Sequence, residues 1–148
     1  MRQRTFIRMV NSKKIFIDDG VLYAFINRAD EKHVKATAYM RYFAQEKYQV
    51  YTSLLNLEET YEKIYQKISP SLALDFLRGI TLSSINVIYP TENEIKASLK
   101  ILINYKSGEL NFKDALDSVI ANRNSIPQIC TFDYHHALFG LTTFYLPI

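Results

Sequence analysis

Short apolar runs alternate along the chain with longer segments in which apolar residues recur at helical spacing. The runs predict five strands, at Lys14–Ile17, Gln49–Tyr51, Ile85–Tyr89, Gln128–Phe132 and Thr142–Leu146. The periodic segments predict helices over Val21–Ile26, Glu31–Glu46, Leu54–Ile68, Leu72–Ile80 and Glu92–Tyr105, and in the middle of Leu110–Asp133. Because strands alternate with helices throughout, we predict an α/β fold, a three-layer α/β/α sandwich with a central, mainly parallel five-stranded sheet. Pro147 after the last run favours an edge position for that strand.

Composition is typical of one folded domain spanning residues 1–148. The 148 residues are 48% hydrophobic and 22% charged, with no repeat or linker. No apolar stretch approaches the ~20 residues of a membrane span, so we expect no membrane association. The single cysteine, Cys130, excludes an internal disulfide and lies in an apolar run, which predicts a buried side chain. It weakly favours a reducing, cytoplasmic location.

Positive charge is concentrated near the N-terminus, although the net charge is only +3. Residues 1–13 form a basic N-terminal arm that includes Arg2, Arg4, Arg8 and Lys13 and has no acidic residue. The arm either contacts phosphates or is a solvated terminus, and we slightly favour the second interpretation. Further candidates for phosphate contacts, most of which we expect to be solvated, are Lys13, Lys14, Arg28, Lys113 and Arg123.

Acidic residues follow the predicted strands at similar positions. Asp18 and Asp19 end the first strand, and Asp133 ends the fourth. Early helical positions carry the other acids of this set, which are Glu58, Glu59, Asp114 and Asp117. The carboxyl ends of parallel strands meet at one edge of a sheet, where ligands bind. We therefore expect at least four carboxylates to converge at this edge.

Converging carboxylates repel one another unless a cation lies among them. Carboxylate oxygens are the donors that Mg²⁺ and Mn²⁺ prefer. Such an ion can activate water and stabilise the charge of a phosphodiester in its transition state. The pattern therefore predicts one or two divalent metal ions and a phosphodiester substrate. The alternative for each acid is a helix cap or a solvated carboxylate.

Four segments in this order resemble the PIN domain family, the fold of the VapC toxins and related metal-dependent endoribonucleases. They are IFIDDGVLYAF with a later His33, YTSLLNLEETYEKI, LNFKDALDSVIA and ICTFDYHHALFG, and the resemblance runs from about Ile15 to Pro147. It implies that the catalytic, metal-binding acids are Asp18, Glu59, Asp114 and Asp133. Less favoured ligands are Asp117, Glu58 and Asp19; for Asp117 and Asp19 we favour the solvated carboxylate.

The resemblance implies a function as well as a fold. It suggests a metal-dependent endoribonuclease that uses Mg²⁺ or Mn²⁺ to cut single-stranded or structured RNA. It also suggests a VapBC-type toxin with an antitoxin partner and a homodimeric state. The apolar, tyrosine-rich helices Val34–Tyr48 and Leu54–Tyr65 are the candidate interface, unless these faces are core.

One departure from the family pattern leaves an alternative function open. The family usually has Thr or Ser and then Asn or Ser after its first aspartate, whereas this chain has Asp19 and Gly20. This favours, modestly, a catalytically degenerate PIN-like module that binds RNA or protein. Two threonines, Thr52 and Thr131, either bond the substrate or the acids, or serve as helix cap and strand residues. The histidines His33, His135 and His136 match no metal-binding motif, and we expect surface or core roles for them.

Overall fold

The computed structural model describes residues 13–105, 110–133 and 141–147. Predictions for the remaining residues lie outside this range. They concern residues 1–12 of the basic arm, and His135 and His136. Lys13, the last residue of the arm, is described, and its ammonium lies 3.3 Å from the Glu46 carboxylate.

Strands and helices alternate as the hydrophobic pattern predicts. The strands are β1 (Lys14–Ile17), β2 (Gln49–Ser53), β3 (Asn86–Ile88), β4 (Gln128–Cys130) and β5 (Thr142–Thr143). The helices are α1 (Asp19–Ile26), α2 (His33–Gln45), α3 (Leu54–Lys67), α4 (Pro70–Leu82), α5 (Glu92–Asn104) and α6 (Phe112–Arg123). Across the described ranges, no helix combines the length and the apolar composition needed to cross a membrane.

The five strands form one parallel sheet in the order β3-β2-β1-β4-β5. In the central strand β1, Ile15 pairs with Val50 of β2, and Phe16 pairs with Ile129 of β4. The prediction of a parallel sheet with the last strand at an edge is confirmed. As a consequence, the residues that follow β1, β2 and β4 lie at the same edge of the sheet.

The last three residues of β1, Ile15 to Ile17, are apolar and fully buried because both faces of the sheet are covered. Ile15 and Ile17 pack into one hydrophobic cluster with residues of α1, α2, α3 and α4. Phe16, pointing the opposite way, packs with Leu116 and Ile120 of α6 in a second cluster. Because successive strand residues face opposite sides, the two clusters define the predicted α/β/α layers. The candidate interface is partly core, since Tyr39 and Phe43 of α2 are buried in the first cluster.

Helix caps explain where the helices at the functional edge begin. The Ser53 hydroxyl accepts a hydrogen bond from the Asn56 amide at 3.3 Å and starts α3 directly after β2. The Asn111 side chain accepts from the Asp114 amide at 2.8 Å and starts α6. Such caps satisfy amides that have no partner within the helix. They also determine which side chains of the first helical turn face the sheet edge.

Three strands are shorter than the apolar runs that predict them. The runs extend to Tyr89, Phe132 and Leu146, whereas β3, β4 and β5 end at Ile88, Cys130 and Thr143. The extra residues are apolar for another reason: Phe132, Phe144 and Leu146 pack against the first hydrophobic cluster after their strands have ended. An apolar run indicates which residues are buried, and here residues remain partly buried after the backbone hydrogen bonds of the strand have ended. The runs therefore predict strands that are too long.

Replacing Ile120 by Ala is expected to lower the free energy of unfolding by about 2–5 kcal/mol, because it opens a cavity in a close-packed core. Ile103 on α5 is exposed, so the same substitution there should change stability by less than about 0.5 kcal/mol. Urea unfolding followed by circular dichroism measures both values. Equal losses at the two positions would contradict the assignment of Ile120 to the core.

Candidate active site

Three aspartates are buried together at the carboxyl edge of the sheet. The exposed fractions are 4% for Asp18, 2% for Asp114 and 0% for Asp117. Asp18 directly follows β1, whereas Asp114 and Asp117 lie one turn apart on α6. Burying carboxylates is unfavourable unless they are paired or hydrogen-bonded, so their partners determine what this site can do.

The ammonium of Lys113 is the shared partner of the acidic residues. Its Nζ lies 3.0 Å from Asp19 Oδ1, 3.1 Å from Asp117 Oδ2 and 3.5 Å from Asp114 Oδ1. The Lys113 side chain is only 13% exposed. Burial alone lowers the pKa of Lys113, but the carboxylates of Asp117, Asp18 and Asp19 outweigh it and raise that pKa above its ordinary value. Lys113 therefore stays charged among the acids.

Asp18 is held by two hydrogen bonds. Its Oδ1 accepts from the Val21 amide at 3.2 Å, which caps α1, and its Oδ2 accepts from the Thr131 hydroxyl. Burial raises the pKa of Asp18, and Asp19 adds to the rise, while Lys113 and the two hydrogen bonds oppose it. The alternative interpretation of Asp18 as a helix cap is thus correct, but the same carboxyl also belongs to the acidic group.

Asn56 connects the acidic residues across three helices. Its Nδ2 donates to Asp117 Oδ1 at 2.7 Å and to Ser53 Oγ at 2.9 Å, and its Oδ1 accepts from the Asp19 amide at 2.9 Å. The side chain is fully buried. The sequence patterns did not predict a role for Asn56. The available signal was an asparagine in the first turn of α3, four residues before Thr60 on the buried face of that helix.

The solvated interpretation that we favoured for Asp117 is wrong, because Asp117 is fully buried and bonded to Lys113 and Asn56. Asp19 is half-buried and paired with Lys113, so it is not simply a solvated carboxylate either. Lys113, expected among the mostly solvated basic residues, is instead part of the acidic group. Asp117 is enclosed because α6 is buried continuously from Asp114 to Ala121. Lys113, one residue before that stretch, contacts Asp117 and also reaches Asp19 at the start of α1.

The remaining predicted acids are more exposed. Asp133 is half-buried, and its amide donates to Thr131 Oγ1 at 2.9 Å, so Thr131 joins Asp133 to Asp18. Glu58 and Glu59 are both exposed on α3. Glu59 follows Asn56 by three positions, which places it beside Asn56 on the helix surface, whereas Glu58 at two positions does not share that side. This geometry favours Glu59 over Glu58 as a neighbour of the acidic group.

Other predicted residues have structural roles. Thr52 donates to the Ile17 carbonyl at 2.8 Å and joins β2 to β1. His33 Nδ1 lies 2.8 Å from the Ala24 carbonyl, and Cys130 is buried as predicted. In the part of the chain that the structure describes, no three Asp, Glu, His or Cys side chains form a ready-made metal site. The metal ligands therefore remain a prediction.

Comparison with known families decides the classification. The family model described as PIN domain matches residues 15–140. The chain belongs to the PIN domain family. This confirms the resemblance found in the four sequence segments. No curated protein sequence gives a significant match to the chain.

Solved structures support the PIN fold. VapC20 of Mycobacterium tuberculosis, described as a sarcin-ricin loop cleaving toxin, superposes with a TM-score of 0.77 at 21% identity, covering 86% of this chain and 96% of that one. VapBC2 of Rickettsia felis, bound to a DNA fragment from their promoter, gives a TM-score of 0.67 at 13% identity, covering 88% and 96%. FitAcB of Neisseria gonorrhoeae gives 0.67 at 14% identity with the same coverage.

Replacing Lys113 by Met is expected to lower the free energy of unfolding by about 3–5 kcal/mol, because the buried Asp117 loses its compensating charge. Lys96 is the matched control: it forms an i,i+4 pair with Glu92 at 2.8 Å, but both side chains are exposed, and Lys96→Met should cost at most about 1 kcal/mol. Chemical unfolding without divalent metal gives both numbers. Similar small losses for the two variants would contradict a structural role for Lys113.

Replacing Asp18 by Asn is expected to stabilise the metal-free protein more at pH 7 than at pH 4. The raised pKa of Asp18 means that the unfolded chain ionises first, so wild-type stability falls as the pH rises from the unfolded pKa of ~3.9 through the folded value. Asn does not ionise, and its side-chain oxygen can still accept the hydrogen bond from the Val21 backbone amide. The measurement is the melting temperature of the variant minus that of wild type, and this difference should increase from pH 4 to pH 7. A decrease would contradict the raised pKa.

Proposed function

We propose that this PIN domain is a metal-dependent endoribonuclease that hydrolyses RNA phosphodiester bonds, and that it is the toxin of a VapBC-type pair. The observation that carries the proposal is the group of buried aspartates at the carboxyl edge of a parallel sheet, Asp18, Asp114 and Asp117, of which the last two contact the Lys113 ammonium. Hard oxygen donors concentrated at this edge are suited to phosphodiester chemistry.

The donor set fits Mg²⁺ or Mn²⁺ by its chemistry. The acids that would hold one or two ions are Asp18, Glu59, Asp114 and Asp133, with Asp117 next to them. Lys113 demonstrates that the acidic group accommodates a positive charge, since its ammonium contacts three carboxylates within 3.5 Å. A bound divalent ion would supply water activation and stabilisation of the negative charge on the phosphodiester.

The side chains of this chain contribute orientation and charge. Thr131 and the Val21 amide hold the Asp18 carboxyl in one position, and Asn56 holds Asp117. Fixed carboxylates need no reorganisation during the reaction, which is the usual source of enzymatic electrostatic stabilisation. In the proposed reaction a water molecule attacks the phosphorus in line and leaves a 5′-phosphate and a 3′-hydroxyl, so no covalent intermediate forms on the protein.

The proposed partners follow from the similar structures and from the family. VapC20 is described as cleaving the sarcin-ricin loop, and the Rickettsia structure contains VapBC2. We infer an RNA substrate, a small antitoxin partner, a homodimer and a cytoplasmic location for this chain. At 21% and 13% identity the similarity concerns the fold, so the RNA target of VapC20 is not assigned to this chain.

The second candidate is a PIN-like module that binds RNA or protein without cutting. The ion pair between Asp19 and Lys113 favours it, because both residues are used for internal charge compensation. A lysine inside the acidic group competes with a metal ion for the same carboxylates. We place this candidate second because Asp18 and Asp114, at positions where the PIN family pattern has acids, are both present and buried.

Cleavage of a labelled single-stranded RNA in Mn²⁺, Mg²⁺ or EDTA tests the proposal. We expect cutting by wild type in at least one metal and none in EDTA. Asp18→Asn and Asp114→Asn should each reduce the rate by about 100-fold or more, since even outer partners of metal ligands contribute 10–100-fold. Asp75→Asn is the control, because Asp75 is an exposed residue paired with Arg78 on α4, and it should cut normally.

The outcomes separate the two candidates. Cutting that survives both substitutions would contradict the assigned site. An absence of cutting in every metal, together with RNA binding, would favour the non-catalytic module.

A further inference from the structure

A cavity of about 220 Å³ lies next to the acidic group, between the start of α2 and the ends of β4 and β5. Thr131 lines this cavity and also donates to Asp18, so the cavity and the acidic group share a wall. The cavity is therefore within reach of a chain that crosses the acidic edge.

The cavity is lined by aromatic rings and lysines. Lys32 Nζ lies 5.3 Å from the centroid of the Phe132 ring, and Lys35 Nζ lies 5.5 Å from that of Tyr145 and 5.8 Å from that of Tyr39. These are cation–π distances. The residues found to line it include two lysines and no acidic side chain. The local charge is thus positive directly beside a group of aspartates.

This combination matches the two parts of a nucleotide. Aromatic side chains stack on bases, and lysines contact the phosphates of a single strand. An unpaired base can enter such a cavity, whereas a base inside a duplex cannot. A volume of about 220 Å³ is below the ~300–1,000 Å³ of pockets that enclose a drug-sized ligand. The size therefore suits one base of a strand that continues outside the cavity.

Tyr145 is the most accessible ring of the group. It is 70% exposed, while Tyr39 is buried in the core and presents only part of its ring. The Lys35 ammonium lies near the ring of Tyr145, and among the described residues Tyr145 belongs to neither hydrophobic cluster. An exposed ring with an adjacent ammonium can stack on a base while the lysine contacts the neighbouring phosphate.

We propose that this cavity binds one nucleotide of single-stranded RNA beside the bond that is cut, with the base against Tyr145 and a phosphate against Lys35. The proposal rests on the proposed function, because it assumes that RNA crosses the acidic edge. It adds a binding determinant outside the carboxylates. The cavity would then influence which base is accepted next to the cleaved bond.

RNA binding without cleavage tests the cavity. A fluorescein-labelled single-stranded RNA containing 2-aminopurine is titrated in EDTA, and anisotropy gives the dissociation constant while 2-aminopurine quenching reports stacking. Tyr145→Leu and Lys35→Met are each expected to weaken binding about tenfold, in line with the loss of one stacking or phosphate contact. Tyr145→Leu should also reduce the quenching. Lys35→Met should also reduce the slope of log affinity against log salt concentration by about one, because one phosphate contact is lost.

The controls are matched in residue type and environment. Tyr89→Leu changes a tyrosine that is 69% exposed, like Tyr145, but lies after β3. Lys63→Met changes a lysine that lies 4.2 Å from the centroid of the Tyr23 ring and does not line this cavity. Both control variants should bind RNA like wild type. Thermal unfolding of all four variants verifies that they are folded.

The result separates this proposal from the proposed nuclease function. Equal binding by wild type, Tyr145→Leu and Lys35→Met would overturn the assignment of the cavity to a nucleotide, even if RNA is cut with metal. A segment of a protein partner would then be the occupant to test. An absence of RNA binding by wild type would overturn it too. Weakened binding by Tyr145→Leu and Lys35→Met, with normal binding by both controls, would support the cavity as a nucleotide site. If in addition no metal produces cleavage, the nucleotide site stands and the proposed nuclease function is overturned.

Discussion

Charge compensation by Lys113 is the interaction on which the acidic edge of this protein depends. Asp114 and Asp117 are almost completely removed from water, and uncompensated buried carboxylates would cost several kcal/mol each, on the order of the penalty for any buried ion. The lysine is on the same helix as these two aspartates, and α6 carries both signs of charge within two turns. The fold can therefore bring the acids together before any metal binds.

The same compensation connects folding with function. An ammonium among carboxylates stabilises the metal-free chain, and it occupies the charge environment that a divalent ion would use. Asp19, where the family pattern has a small hydroxyl residue, pairs with Lys113 through its carboxylate and with Asn56 through its amide. The departure at Asp19 and the lysine at position 113 are thus linked features. Gly20 is not required by space, since a Cβ there would lie 3.5 Å from Asp18 Oδ1, an ordinary contact.

The edge of the sheet has two electrostatic halves. One half contains the aspartates around Lys113, and the other contains the lysines and rings of the cavity, with Thr131 between them. A negatively charged strand would be attracted to the basic half and would approach the acidic half only with cations present. Placing opposite charges side by side is a physical means of orienting a polyanion across the carboxylates, which the proposed RNA binding would use.

The sequence by itself determined the order of strands and helices, the parallel sheet and the placement of Asp18 and Asp114 at one edge. Hydrophobic periodicity, caps and the turn residues are local, so one segment contains the information for each element. Boundaries were less certain where apolar residues such as Phe132 and Phe144 pack in the core beyond their strands.

Only the tertiary structure decided which polar residues of these elements are enclosed. The hydrogen bond between Asn56 and Asp117 joins residues 61 positions apart, and that between Thr131 and Asp18 spans 113 positions. Periodicity shows that a helix has a buried face, but it does not show what meets that face. The burial of Asp117, the role of Asn56 and the compensation by Lys113 all arise where side chains of the first turns of α6 meet Asp19 of α1 and Asn56 of α3.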